Sequence, residues 1–171
     1  MGSSFASGEP KQRFVLRAAL VLTLTLAATV SSSASAGEAK RTMVIRLVSV
    51  TTSERFLDAA PKGSLNAGDA FTSTSRLLNG VAQFGRPKGA VVGRDRGTAT
   101  FVSSTRASVN GVATLPGGTV RFRGRIGREC PCPLSVVAGT GRFAGASGSL
   151  AVRNLGAGGR RALNVYTLTL P

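Results

Sequence analysis

From Met43 onward, apolar and polar residues alternate in short runs broken by Gly, Pro, Asn and Ser. That is the pattern of half-buried strands rather than of amphipathic helices. It predicts strands over 43–50, 70–77, 89–93, 98–103, 108–115, 119–126, 134–137, 147–154 and 163–170. The clearest pair flanks Pro116-Gly117-Gly118, where proline presets a turn and the glycines tolerate positive φ, so a hairpin is expected there. In its second arm Val120, Phe122 and Ile126 share one face, and Thr119, Arg121, Arg123 and Arg125 the other. Which face of each strand points inward is not set by the pattern, because Ala, Ser and Thr occur on both. No stretch after the first 36 residues sustains a helical period with good helix formers. The expected class is all-β, with closure into a barrel removing the exposed edges of a small sheet. The polar stretch 53–67, carrying Pro61-Lys62-Gly63-Ser64, is expected to be a long connection near one end of the barrel.

The first 36 residues read differently. Lys11, Arg13 and Arg17 precede an uncharged apolar run from Ala18 to Val30, and Ala34-Ser35-Ala36 supplies the small residues of a cleavage site. Residues 1–36 are therefore expected to be a signal peptide, and the protein secreted or extracellular. The apolar run is short for a bilayer span, and no later stretch approaches the length a membrane helix needs, so no span is expected after signal removal. Residues 37–171 then form a single domain, long enough to bury roughly two-thirds of its unfolded surface without staples.

Charge narrows the partners. The chain carries 22 Lys and Arg against 7 Asp and Glu, a formal net charge of +15. The basic residues are nearly all arginine and scattered singly, the densest group being Arg121, Arg123, Arg125 and Arg128. Such a surface attracts anionic polymers, so an anionic cell-wall polymer is the alternative partner. Nucleic acid is not expected: there is no Trp and a single tyrosine, Tyr166, whereas single-strand binders interleave aromatic platforms with their charge.

The glycine-rich segment from Val136 to Leu150 contains Gly139, Gly141, Gly145 and Gly148. A phosphate-cradling loop would need a helix to open behind it, and this glycine density weakens any helix. In context the segment reads as strand, tight connection and strand.

The inventory of reactive groups is poor. There is no histidine, so hydrolase triads lack their base and the usual proton shuttle near neutral pH is missing. Acid or base work would fall to Glu54, Asp58, Asp69, Asp95, Glu129 or Tyr166, of which Asp69, Asp95 and Tyr166 are the candidate catalytic residues. Asp95 lies between Arg94 and Arg96, which suggests an ionised carboxylate in a solvated turn. Asp69, if turned inward, would be the better acid or cation stabiliser. No metal site and no cofactor-binding residue is expected, for want of imidazoles and converging carboxylates. Cys130 and Cys132 flank Pro131, and in an oxidising compartment they would be expected to pair, closing a small strained ring and stiffening the loop before the 134–137 strand. A redox role and pairing between chains are the alternatives.

Several fragments together resemble one family. They are Gly68-Asp69-Ala70-Phe71 leading to Leu77-Leu78-Asn79, then Val91-Val92-Gly93 followed by Gly97-Thr98-Ala99-Thr100-Phe101, then Gly117-Gly118-Thr119-Val120 into Gly124-Arg125-Ile126, and the segment Val136 to Gly148. They resemble the allene oxide cyclase and dirigent barrel superfamily, here as a bacterial-type secreted member, over roughly Leu47 to Leu170. The resemblance implies an eight-stranded antiparallel β-barrel with an apolar interior cavity, usually a homotrimer in plant members. It also implies a small hydrophobic or phenolic ligand whose cyclisation or coupling is steered without a cofactor. The plant cyclases' catalytic set does not carry over. The first strand reads Leu47-Val48-Ser49-Val50-Thr51, without their Glu and Asn, and Thr98-Ala99-Thr100 offers no cysteine. Allene oxide cyclase activity itself is thus unsupported, and binding or steering leads over acid/base catalysis.

Overall fold

The structure, a computed structural model, describes residues 39–59, 61–127, 134–156 and 159–171. The expected signal segment and the Cys130 and Cys132 pair lie outside the described residues.

Eight strands follow one another: β1 (Arg41–Leu57), β2 (Ala70–Asn79), β3 (Val91–Ser103), β4 (Arg106–Leu115), β5 (Gly118–Gly127), β6 (Leu134–Gly139), β7 (Ser147–Asn154) and β8 (Arg161–Leu170). Each pairs antiparallel with the next, and β8 returns to β1 with Met43 opposite Leu168 and Ser49 opposite Ala162, closing an eight-stranded barrel. Closure leaves no open sheet edge for another chain to extend. A 3-10 turn at Gly141–Phe143 is the one helical element among the described residues. The Pro116-Gly117 turn joins β4 and β5 with Leu115 opposite Gly118, as the sequence predicts.

The barrel is filled unevenly. At the end bearing the β4–β5 turn and the β6–β7 connection, Ile45, Leu47, Leu77, Leu115, Val120, Phe143, Tyr166 and Leu168 form a packed plug, all essentially buried. The plug depends on backbones lying close together: a side chain at Gly139 would collide with the Phe143 carbonyl, and one at Gly148 with that of Thr167. Hydrogen bonds from the Thr140 N–H to the Thr119 carbonyl (2.9 Å) and from the Arg142 N–H to the Gly117 carbonyl (2.8 Å) lash the connection to the hairpin. The glycines of this segment therefore serve backbone packing.

Three boundaries differ from the sequence expectation. Residues 89–93 and 98–103 are not separate strands around a turn at Asp95; β3 runs unbroken from Val91 to Ser103. The triplet Arg94-Asp95-Arg96 looks like a solvated turn because it is all charged, yet alternate strand positions face opposite sides, so the arginines point out and the aspartate in. The connection expected from 53 begins only after Leu57, because β1 continues through an irregularity between Thr51 and Ser53 to pair Phe56 with Phe71. From Thr51 to Arg55 β1 is polar on both faces since it rises above the plug, where burial no longer selects apolar residues, and it ends on the exposed Phe56 and Leu57. β2 likewise runs on to Asn79, whose buried side-chain amide donates to the carbonyls of Gln83 (2.7 Å) and Arg86 (3.0 Å) and ties down the β2–β3 connection.

Candidate functional site in the barrel lumen

Above the plug, the barrel holds a cavity of about 720 Å³, lined from all eight strands. Its size falls within the range of small-molecule sites. The walls are mostly apolar, with Phe71, Val109, Phe122, Leu134, Leu150 and Val152 facing in, while Arg153 and Asn154 stand at the mouth with Gly127 and Gly159.

The deep end is polar. Asp95 from β3 and Ser75 from β2 are direct partners across the ladder and both line the cavity, together with Ser49 from β1 and Asn164 from β8. Asp95 is the one carboxylate among the described residues that reaches the lumen. Burial raises its pKa above the ordinary carboxylate value, and hydrogen bonds from the Ser75 side chain and backbone partly offset that by favouring the charged form. The group is thus a carboxyl poised nearer to neutral pH than an exposed one, with a hydroxyl fixed at its side. Asn164 is 5 % exposed and its Oδ1 has no hydrogen-bond partner among the described residues.

One step deeper on β8, in the same inward phase as Asn164, Tyr166 is fully buried. Its ring meets Phe122 edge-on at 6.5 Å, and its hydroxyl also lacks a partner among the described residues. Burial first, and the nearby charge of Asp95 second, push its pKa well up, so it stays a neutral phenol.

The three candidates from the sequence part company. Asp95 lines the lumen, whereas Tyr166 sits in the plug beneath it, outside the cavity lining but close enough to feel the charge of Asp95. Asp69 is elsewhere: its carboxylate accepts the backbone N–H of Ala59 and of Asn66, both at 2.8 Å, which staples the β1–β2 connection from inside. It is fully buried but does not line the cavity. The condition on which Asp69 would serve as a lumen acid, a side chain turned into the cavity, is not met, because its two oxygens accept those two amides at the entry to β2. Glu54 and Asp58 are likewise outside the lumen, and Glu129 lies outside the described residues.

Ser75 and Asn164 were not singled out from the sequence, although a signal existed. On β8 the inward phase reads Ala162, Asn164, Tyr166, Leu168, Leu170, and on β2 Ser75 shares the phase of Leu77. A polar side chain on an otherwise apolar phase marks a lumen polar group. Among the described residues no group of His, Cys, Asp or Glu could hold a metal ion.

No protein-family model and no curated protein sequence matches the chain. Solved structures do. A pyocyanin demethylase superposes with a TM-score of 0.58 at 19 % identity, covering 74 % of this chain and 99 % of that one. A pterocarpan synthase dirigent protein gives 0.57 at 17 % identity over 77 % and 90 % of the two chains. The Diels-Alderase AbmU from Streptomyces koyangensis gives 0.60 at 18 % over 79 % and 70 %. The fold is the dirigent-type barrel. At such identities the likeness concerns strand order and closure, so the polar floor of this dirigent-type barrel has to be read from its own residues.

Proposed function

We propose that the lumen binds a small, largely hydrophobic molecule and steers its cyclisation or coupling, with Asp95 as the group that orients it and exchanges a proton with it. The carrying observation is the single carboxyl at the deep end of a mainly apolar cavity, held by Ser75 and flanked by the unpartnered Oδ1 of Asn164. A ligand with a hydroxyl or phenol at one end matches that floor. Its polar end donates to Asp95 or Asn164, while the apolar remainder folds against Phe71, Phe122, Leu134 and Leu150. In its protonated form Asp95 donates to an oxygen or carbon that gains negative charge; ionised, it accepts a phenolic proton or stabilises developing positive charge. The walls supply the rest by restricting the conformers from which a ring closes. That solved structures with this fold include a dirigent protein and a Diels-Alderase supports the reading.

The test is a binding titration of the full chain with the neutral, environment-sensitive dye Nile red, followed by displacement with a panel of phenols and terpenoid alcohols. The wild type is expected to bind one dye per chain, and Ala99→Trp, which fills the lumen, to weaken binding at least about tenfold with an unchanged far-UV circular dichroism spectrum. Equal binding by both proteins would place the dye outside the lumen and overturn the proposal.

A further inference from the structure

The outer wall of the barrel carries a concentration of positive charge on the far side of the strands from the lumen. β2, β3, β4 and β5 lie side by side, and their registers fix what stands on the outer face. Six exposed arginines gather there: Arg76 on β2, Arg94 and Arg96 on β3, and Arg121, Arg123 and Arg125 on β5. Arg76 is directly opposite Arg94. Like charges facing each other across a ladder repel and destabilise the sheet.

Among the described residues no carboxylate relieves them. Of the four acidic residues among the described ones, Asp95 points into the lumen, and Asp69 is saturated by two amides inside the β1–β2 connection. Asp58 lies in that connection, where it accepts the Gly63 N–H, and Glu54 lies on the upper part of β1 opposite Ser73. The arginines span about 14 Å along β5 and about 14 Å across the strands, so neighbouring charges stand within roughly one screening length and their potentials add. A groove of about 330 Å³ runs between Arg96, Arg121 and Arg123, with Asn110 and Thr98 in its walls.

We infer that this face binds a linear acidic polysaccharide. The guanidinium groups match carboxylates two bonds at a time. The outer positions between them include hydroxyl and amide side chains such as Thr98 and Asn110, which suit sugar hydroxyls, alongside the apolar Ala70, Leu78, Val91, Val102 and Val112, with Val137 at the groove. The aromatic residue in the groove lining, Phe122, sits on an inward strand position and is buried, so the face presents no open stacking platform of the kind on which single-stranded nucleic acid depends.

The experiment titrates the full chain with polygalacturonate, a polymer with one carboxylate per sugar, at salt concentrations from about 50 to about 300 mM, with dextran as the uncharged control. Arg96→Gln/Arg121→Gln/Arg123→Gln is compared with Arg41→Gln/Arg46→Gln/Arg161→Gln, which removes equal charge from β1 and β8. The first triple variant is expected to lose at least about tenfold in affinity and to flatten the salt dependence, and the second to change less than about threefold. Equal losses would show diffuse charge rather than a site. Absence of wild-type binding near physiological salt, or tighter binding of single-stranded DNA of matched charge, would equally overturn the inference.

Discussion

Asp95 and Ser75 are cross-strand partners on β3 and β2 that both face the lumen, and the serine's hydrogen bonds hold a carboxyl that burial would otherwise push further toward its neutral form. Because the folded state raises the pKa of Asp95 above its ordinary value of 3.8, the folded protein binds that proton more tightly than the unfolded chain does. The associated stability is complete below the ordinary value and is lost as pH rises through the shifted one. Asp95→Asn is therefore expected to melt a few degrees higher than wild type at pH 7, the gain shrinking as the pH is lowered toward the ordinary carboxylate range. Melting curves across that range decide it: a variant less stable than wild type at pH 7 would mean that Ser75 and its surroundings fully compensate the charge.

Tyr166 keeps a buried hydroxyl with no partner among the described residues. Removing an unsatisfied polar group from a plug of this density should not cost stability. Tyr166→Phe is expected to gain about 1 kcal/mol in urea unfolding, since the desolvation cost of the hydroxyl disappears while the ring contact with Phe122 at 6.5 Å remains. A loss of similar size would reveal a partner for the hydroxyl.

Asp69 should behave as a structural residue. Its two 2.8 Å bonds to the amides of Ala59 and Asn66 are charge-assisted. Asp69→Ala is expected to destabilise the fold by about 2–4 kcal/mol and to speed proteolytic cleavage between Asp58 and Gly68. Nile red affinity, measured where the variant is folded, should stay within about twofold, which a lumen acid would not permit.

Gly148 and Gly63 separate two reasons for a glycine. Both have positive φ, +137° and +89°, but only at Gly148 would a side chain strike backbone, the Thr167 carbonyl of β8. Gly63→Ala should cost about 1 kcal/mol, the strain of the left-handed conformation alone. Gly148→Ala should cost more than about 3 kcal/mol, because β7 and β8 must also move apart. Equal costs would mean that the close approach is not needed.

The strands were largely legible because a barrel wall is wet on one side, so burial imprints a two-residue period. Errors arose where that imprint fades. Around Arg94, Asp95 and Arg96 both faces carry charge, so the period vanished although the strand did not. Above the plug β1 is polar on both sides from Thr51 to Arg55 before the exposed Phe56 and Leu57, and its pairing with β2 shows only in the register, Phe56 against Phe71. The site was half legible: Asp95 and Tyr166 stood out as rare ionisable groups in a chain without histidine, while Ser75 and Asn164 are ordinary residues whose meaning comes from their neighbours.

The sequence by itself determined the all-β class, the hairpin at Pro116-Gly117, the tight glycine path before Leu150 and the poverty of acid and base groups. Each of these follows from local chemistry: side-chain alternation, the φ preferences of Pro and Gly, and the residue inventory. Only the tertiary structure decided which way each strand faces. Alternation gives the phase of a strand but not its sense, and Ala, Ser and Thr satisfy either side. Closure of β8 onto β1 turned one phase inward, bringing Ser49, Ser75, Asp95 and Asn164 together from distant parts of the chain, and turned the scattered arginines of β2, β3 and β5 into a single outer face.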